Sequence, residues 1–326
     1  MARAGLNRKS ALATATLVIG AEAADADMIG YLHGPVFGFA HHRGITHTLV
    51  GVPIVAAAVV LLMYGVFRLR QRWRPTSAEP RWPVLFWLAC LAGVVHIALD
   101  YTNNYGVRPF EPFSYKWYAW DIVFIVEPVL LVILIAGLVI PRFFRLINEE
   151  IGPRQKGPHG RLGATLALIG MLIVWGVRDF EHRRALAALE ARLYDQSVPV
   201  SAAAFPYWVN PFKWYAVAET QTSYQRMLVD SLTPEVDPSA DIEVQYKPEE
   251  TPITLAAKRS YLGRVYLDWA RYPYTETQEL SPPGSGYVVT FHDARYAYPG
   301  RLQNTLSARV YLDGSLHVVA ERWGNR

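Results

Sequence analysis

The sequence predicts an α-helical polytopic membrane domain followed by a small β-rich (α+β) soluble domain. Three observations carry that prediction. Several apolar runs long enough to cross a bilayer crowd the first half of the chain. Charge divides unevenly: residues 1–180 hold 17 Lys and Arg against 11 Asp and Glu, net +6, whereas 181–326 hold 15 against 17, net −2. After about residue 198, short β-branched segments separated by Pro, Gly and Asp replace the apolar runs. The domains are therefore expected at 1–180, membrane-embedded, and at 181–326, extracytoplasmic and β-rich with an initial linker helix.

The elements follow in order. A weak apolar stretch over 11–24 is too short to span comfortably and reads as half of a helical hairpin. Residues 47–67 carry no Asp, Glu, Lys or Arg, and at about 1.5 Å per residue they reach across the roughly 30 Å hydrocarbon layer. A second span covers 83–101 and ends in His96 and Asp100; a third covers 121–140 with Asp121 and Glu127 near its start; a fourth, shorter one covers 161–177. Buried helices of a soluble protein need runs of only about 10–14 apolar residues. Charged residues then interrupt an apolar periodicity over 181–197, which reads as a helix leaving the membrane. The segments IEVQY, GYVVTFH, SARVYL and LHVVAE read as strands, and the dense Trp and Tyr between them as core packing rather than a ligand surface.

Orientation follows from basic residues in short loops. Arg68, Arg70, Arg72, Arg74 and Arg81 flank one connection, and Arg142, Arg145, Arg154 and Lys156 another. Both are expected on the cytoplasmic side of a cell (inner) membrane. Loops 25–46 and 102–119 then face outward, and the fourth span carries 181–326 to the outside. No cleavable signal peptide is evident.

Composition excludes several chemistries. A single cysteine, Cys90, inside an apolar run, rules out a disulfide framework and cysteine-based metal sites, so any metal must be held by His and carboxylates. There is no G-x-S-x-G elbow, Walker A loop or dinucleotide fingerprint. The basic residues flank spans rather than an aromatic platform, so the expected partners are the lipid bilayer and a small-molecule or lipid-like substrate, with no nucleic acid.

Acidic and imidazole side chains concentrate at the outer ends of the predicted helices. Asp25 and Asp27 follow the first apolar stretch; His41, His42 and His47 lie in HHRGITHT before the first full span. His96 and Asp100 are one helical turn apart and project from one side of their helix. Asp121 and Glu127 begin the next span at that same end. Ionisable groups at membrane depth are costly unless paired, wetted or coordinated, so such a cluster is a functional-site hypothesis. A His and Asp set suits a divalent transition metal, zinc first, with Mn or Fe as alternatives. The ligands suffice for one or two ions, and two-metal sites commonly hydrolyse phosphoesters or amides. A competing reading is non-catalytic metal binding, transport or scaffolding by the same residues.

These residues also carry a family resemblance. HRGITHT, preceded by an acidic pair and followed by H-x-x-x-D, resembles the YdjM-type family of membrane-bound metal-dependent hydrolases, some of them LexA-regulated. The likeness covers about residues 5–145, and the aromatic C-terminal region is similar to an extension found in part of that family. The resemblance implies metal ligation by His42, His47, His96, Asp27 and Asp100, with Asp25 either a ligand or a partner fixing an imidazole tautomer. His41 is an alternative to His42. Arg43 would hold an anionic substrate oxygen or pair with Asp25 or Asp27, and Asp121 and Glu127 would act as outer ligands or general base, or else cap a helix start. H-x-x-x-D is also similar to an element of zinc-dependent phospholipase C, an analogy of metal chemistry alone. Three departures stand out. The family's Pro-Asp-x-Asp is here Ala24-Asp25-Ala26-Asp27, Thr48 replaces its usual Ser, and the chain opens MARAGLNRKS where the family has an Asp-Pro-x-Thr-His helix. The expectation is that this start lies inside a longer reading frame.

Overall fold

Long stretches rich in Ala, Leu, Ile and Val form the helices of the first unit, because burying or lipid-solvating every side of a backbone requires its hydrogen bonds to close within the segment. The computed structural model describes residues 1–73, 75, 79–151, 160–194, 196–207, 210–233, 242–298 and 306–324. The chain divides into two compact units, one of residues 1–27 and 43–179, the other of 28–42 and 180–326.

In the first unit the helices are α1 (Ala13–Glu22), α3 (Gly51–Trp73), α4 (Trp82–Thr102), α5 (Pro128–Ile151) and the first part of α6 (Arg161–Glu190). Helices α3, α4 and α6 are long and apolar enough to cross a membrane by length and composition, and α1 and 128–144 of α5 are shorter apolar helices. Helix α4 sits between α1 and α3. Ala13 and Leu17 pack with Leu85, Leu88 and Ala92 on one side; Val52, Ala56 and Val59 pack with Ala89, Cys90 and Ile97 on the other. Small residues set the spacing: a Cβ on Gly20 would stand 3.2 Å from the Cα of Ala89. Outward faces remain apolar, with Leu61, Trp87 and Val132 each about two-thirds exposed or more, a pattern that lipid tolerates and water does not.

Two boundaries differ from the sequence reading. The helix expected from residue 121 starts at Pro128, because proline supplies no N–H and disfavours helical geometry in the residue before it, so Glu127 cannot continue a helix into Pro128. Asp121 instead lies in irregular chain at φ +59°, and Glu127 accepts a 3.5 Å hydrogen bond from the Phe124 N–H. The helix expected over 181–197 is formed as far as Glu190 and is continuous with the fourth span: α6 runs unbroken from Arg161 to Glu190, since Gly163, Gly170 and Gly176 weaken the ladder without ending it.

The second unit contains α2 (Pro35–His41), residues 180–190 of α6, and two four-stranded antiparallel sheets. The first sheet has the order β1 (Ser201–Pro206), β2 (Lys213–Glu219), β3 (Ser223–Asp230), β4 (Glu243–Tyr246). Helices α7 (Pro252–Arg259) and α8 (Tyr261–Trp269) lead into the second, β5 (Pro273–Glu279), β6 (Gly286–Asp293), β7 (Ala308–Asp313), β8 (Val318–Trp323). Alternation along β2 fills two layers. Trp214, Ala216 and Ala218 face Ala185 and Leu189 of α6, while Tyr215 and Val217 face Tyr272, Tyr274 and Ala294. Helix α2 is pinned by Phe39, stacked on Trp323 at 3.6 Å and edge-on to Trp269 at 5.5 Å. Trp214, Tyr215, Tyr266, Trp269, Tyr272 and Tyr274 are thus core.

Two outcomes test this packing. Helices α5 and α6 cross where a Cβ on Gly163 would lie 2.5 Å from Pro141 and 2.7 Å from the Gly137 carbonyl, so Gly163→Leu is expected to destabilise the protein by about 1–3 kcal/mol, read as a lower thermal midpoint in detergent. In the second unit, burial holds the His292 imidazole below its ordinary range, with the Glu276 carboxylate, 3.4 Å away, opposing that effect. The fold therefore prefers neutral His292, and stability that is full above pH of about 6.5 declines as the unfolded chain takes up a proton below it. Unfolding midpoints measured from pH of about 7 to 5 should fall for the native chain and fall less for His292→Gln; equal slopes would refute the assignment.

Candidate metal centre

The loop from Arg43 to Thr48 and the end of α4 build the site. A 3₁₀ turn over Ile45–His47 buries His47 completely, and the turn closes against α3 because Gly51 has no side chain; a Cβ there would collide with the Ile45 carbonyl. Thr48 caps α3, accepting a 2.8 Å bond from the Gly51 N–H while its hydroxyl donates to the Ile45 carbonyl at 2.9 Å. Serine in that place could do the same, so the departure at Thr48 changes little.

His47 and His96 meet through their Nε2 atoms, 3.2 Å apart. Asp25 Oδ1 lies 3.3 Å from the first and 3.6 Å from the second, and Asp100 Oδ2 is 3.4 Å from both. Asp25, His47 and His96 form a group able to hold a metal ion. Each imidazole is fixed from behind. Asp27 Oδ2 stands 3.2 Å from His47 Nδ1, with the Thr46 hydroxyl at 3.1 Å from the same nitrogen, and the backbone of Ala21 lies against the His96 ring. A carboxylate on Nδ1 selects the tautomer whose Nε2 lone pair points forward.

The donor set fits a divalent cation. Bonds of about 2.0–2.2 Å in a tetrahedral site give ligand-to-ligand edges of about 3.3–3.6 Å, and the three separations among Asp25, His47 and His96 are 3.2, 3.3 and 3.6 Å. Two Nε2 lone pairs at 3.2 Å repel unless a proton or cation lies between them. Asp100 Oδ2, moreover, is buried without a hydrogen-bond partner, and such a group is costly unless something positive faces it.

Arg43 holds the frame. Its guanidinium donates to Asp100 Oδ1 at 2.7 Å, to the Gly106 carbonyl at 2.9 Å and to Asn103 Oδ1 at 3.3 Å, and covers the Tyr105 ring at 4.7 Å. Its backbone adopts φ +54°, and its N–H donates to Asp27 Oδ2 at 2.7 Å. A non-glycine residue in that region is strained and is kept there by its surroundings.

Of the residues read from the sequence, Asp25, Asp27, His47, His96 and Asp100 come together around these two imidazoles. His42 groups with the second unit, its ring edge-on to Tyr31 at 6.5 Å, and His41 stacks on Phe37 while Nδ1 meets the Phe37 carbonyl. Arg43 pairs with Asp100, not through its guanidinium with Asp25 or Asp27. Asp121 and Glu127 lie in the segment before α5 and are not in the group that could hold a metal. Sequence reasoning missed Thr46, Asn103 and Tyr105; the Asn-Asn-Tyr-Gly that follows H-x-x-x-D was the available signal.

A model of the family described as YdjM inner membrane protein matches residues 1–185, more than half of the 326 residues. The chain belongs to the YdjM inner membrane protein family. YfhP of Bacillus subtilis (strain 168), described as an uncharacterized protein, is 28% identical to it over 133 residues, which is 40% of this chain and 36% of YfhP. The chain thus spans little more than a third of that relative's length. No solved structure matches. As a YdjM family protein with three helices able to span a bilayer, it is a membrane protein, and the matched range contains every residue of the His and Asp cluster.

In this YdjM family protein Asp27 positions His47. Asp27→Asn is expected to weaken metal binding by about 10–100-fold, checked by chelator competition on purified protein, whereas Asp27→Ala that binds metal as tightly as the native chain would contradict that role.

Proposed function

We propose that this YdjM family protein is a multi-pass, membrane-bound metal-dependent hydrolase acting on a phosphoester or lipid-like substrate. One observation carries the reading: two imidazole nitrogens and two carboxylate oxygens stand 3.2 to 3.6 Å apart along five edges, each imidazole braced from behind. His47, His96 and Asp25 would hold one divalent transition metal, zinc being the best match to this donor set, with a position left open for water and Asp100 Oδ2 beside the two imidazoles. Such an ion supplies Lewis acidity, polarising an ester oxygen and bringing the ionisation of water toward neutral pH.

The chain's own residues do the positioning. Asp27 keeps His47 in one tautomer, and Arg43 spends its charge on Asp100, so that only Oδ2 faces the imidazoles. Asp25 is the accessible member, its side chain 43% exposed against 0% for His47, and so offers the carboxylate best able to accept a proton from an entering water. Arg43, 5% exposed and already bonded to three acceptors, is a positioning residue rather than a substrate clamp. We further propose that basic loops 68–81 and 142–156 face the cytoplasm and that 181–326 lies outside, on the grounds of the Lys and Arg distribution.

Elemental mass spectrometry of detergent-purified protein tests the site. Close to one equivalent of zinc or another transition metal is expected in the native chain and little in a folded His96→Ala/Asp100→Ala variant, with phosphodiester and phospholipid hydrolysis lost in parallel. Metal retained in the variant would overturn the ligand assignment; metal without hydrolysis of either substrate class would favour a binding or transport role. A periplasm-active reporter fused after Arg326 should be active, and a silent fusion beside an active cytoplasmic one would reverse the orientation.

A further inference from the structure

A cavity of about 390 Å³ lies in the first unit beside α1. Its walls are mostly apolar, with Leu17, Val18 and Ala21 of α1, Leu134 and Leu138 of α5, and Leu168 of α6, and its polar members are Arg3, Thr14 and Glu22. Thr14, Leu17, Val18, Ala21 and Glu22 recur at the three- and four-residue spacing of one helix face, so the cavity follows α1 over nine residues, about 12 Å of helix. At one end it reaches Arg3, which donates to the Leu138 carbonyl at 3.3 Å. At the other it reaches Ala21 and Glu22, three residues before Asp25. Ala21 belongs to both places: it lines the cavity, and its backbone lies against the His96 ring.

A mostly apolar cavity in a protein whose surroundings are lipid, running along α1 and reaching Ala21 and Glu22 just before the acidic segment of Asp25 and Asp27, matches an amphiphile with one long tail and a polar linkage at its head. Water has few partners in such a lining, and a soluble metabolite would bury polar groups without acceptors. We propose that the cavity between α1, α5 and α6 binds one acyl chain of a membrane lipid and so presents that lipid's head-group ester to the His47, His96 and Asp25 cluster. The substrate half of this assignment rests on the hydrolytic reading of the cluster; occupancy of the cavity by a chain does not.

The test uses the full chain in detergent with palmitoyl lysophosphatidylglycerol as the probe and glycerophosphate, which lacks the chain, as its control. Native mass spectrometry should give a saturable one-to-one adduct with the lysolipid and none with glycerophosphate. Val18→Trp fills the cavity from a position 57% exposed on α1 and is expected to weaken that adduct by about tenfold or more; Leu138→Trp does the same from α5, so a misfolded first variant leaves the second. Metal content is measured on every preparation. The His96→Ala/Asp100→Ala protein should lose metal and keep the adduct, which separates a failure of the cavity from a failure of the metal site. Lysolipid binding that is unsaturable, equal for glycerophosphate, or unchanged in both tryptophan variants would overturn the proposal.

Discussion

A guanidinium buried to 5% exposure needs a carboxylate and further acceptors around it, because an uncompensated charge in such a place costs several kcal/mol. Arg43 is such a group, and meeting its needs draws four parts of the first unit to one point: the loop that carries His47, the end of α4 through Asp100, the turn through Asn103 and Gly106, and the acidic segment after α1 through Asp27. The left-handed backbone at Arg43 persists because bonds at both its N–H and its guanidinium hold it. Without the arginine, Asp100 would be a buried carboxylate with no fixed direction; with it, one oxygen is occupied and the other faces the imidazoles.

The second determinant is how closely helices approach. Helix α1 delivers the Ala21 backbone to His96 and, just past its end, Asp25 and Asp27 to His47. That delivery depends on Gly20 resting against Ala89 and Ala92 of α4, where any side chain would push α1 outward. Association within a bilayer gains nothing from excluding water, so contact between small residues has to hold the helices together. The same economy of small side chains recurs at Gly137 and Gly163 between α5 and α6, and Gly51 lets the His47 turn lie against α3. Packing and ligand geometry are one problem here.

Much of this was legible in the sequence where the cause is local. His96 and Asp100 are one turn apart on any helix, so their shared direction needed no tertiary information. Alternation marked β4, β6, β7 and β8, and the length of uncharged sequence marked α3 and α4. Pro128 could have fixed the start of α5, and the lack of a helix breaker after Val177 could have extended α6; both signals were local and were outweighed by hydropathy. What could not be read locally was partition. HHRGITHT offers three imidazoles within seven residues, and which one joins the cluster is not written in their spacing. The partner of Arg43 was hidden for the same reason, since Asp25, Asp27 and Asp100 are chemically alike and only the fold decides among them.

Where the ionisable groups are absent bears on mechanism as much as where they are present. Between Gly51 and Phe67 and between Trp82 and Leu99 the spans carry no Asp, Glu, Lys or Arg, and the same holds from Leu162 to Val177 in α6. A route for an ion or proton through a bilayer needs polar stations along its length, whereas here the polar groups gather at one end of α1 and α4 and apolar side chains fill the rest. That asymmetry supports the hydrolytic reading over transport. A reaction confined to one end of a helical bundle needs only its labile bond held there, and an amphiphile whose tail lies along α1 would have its polar linkage beside the one carboxylate of the cluster, Asp25, that remains open to solvent.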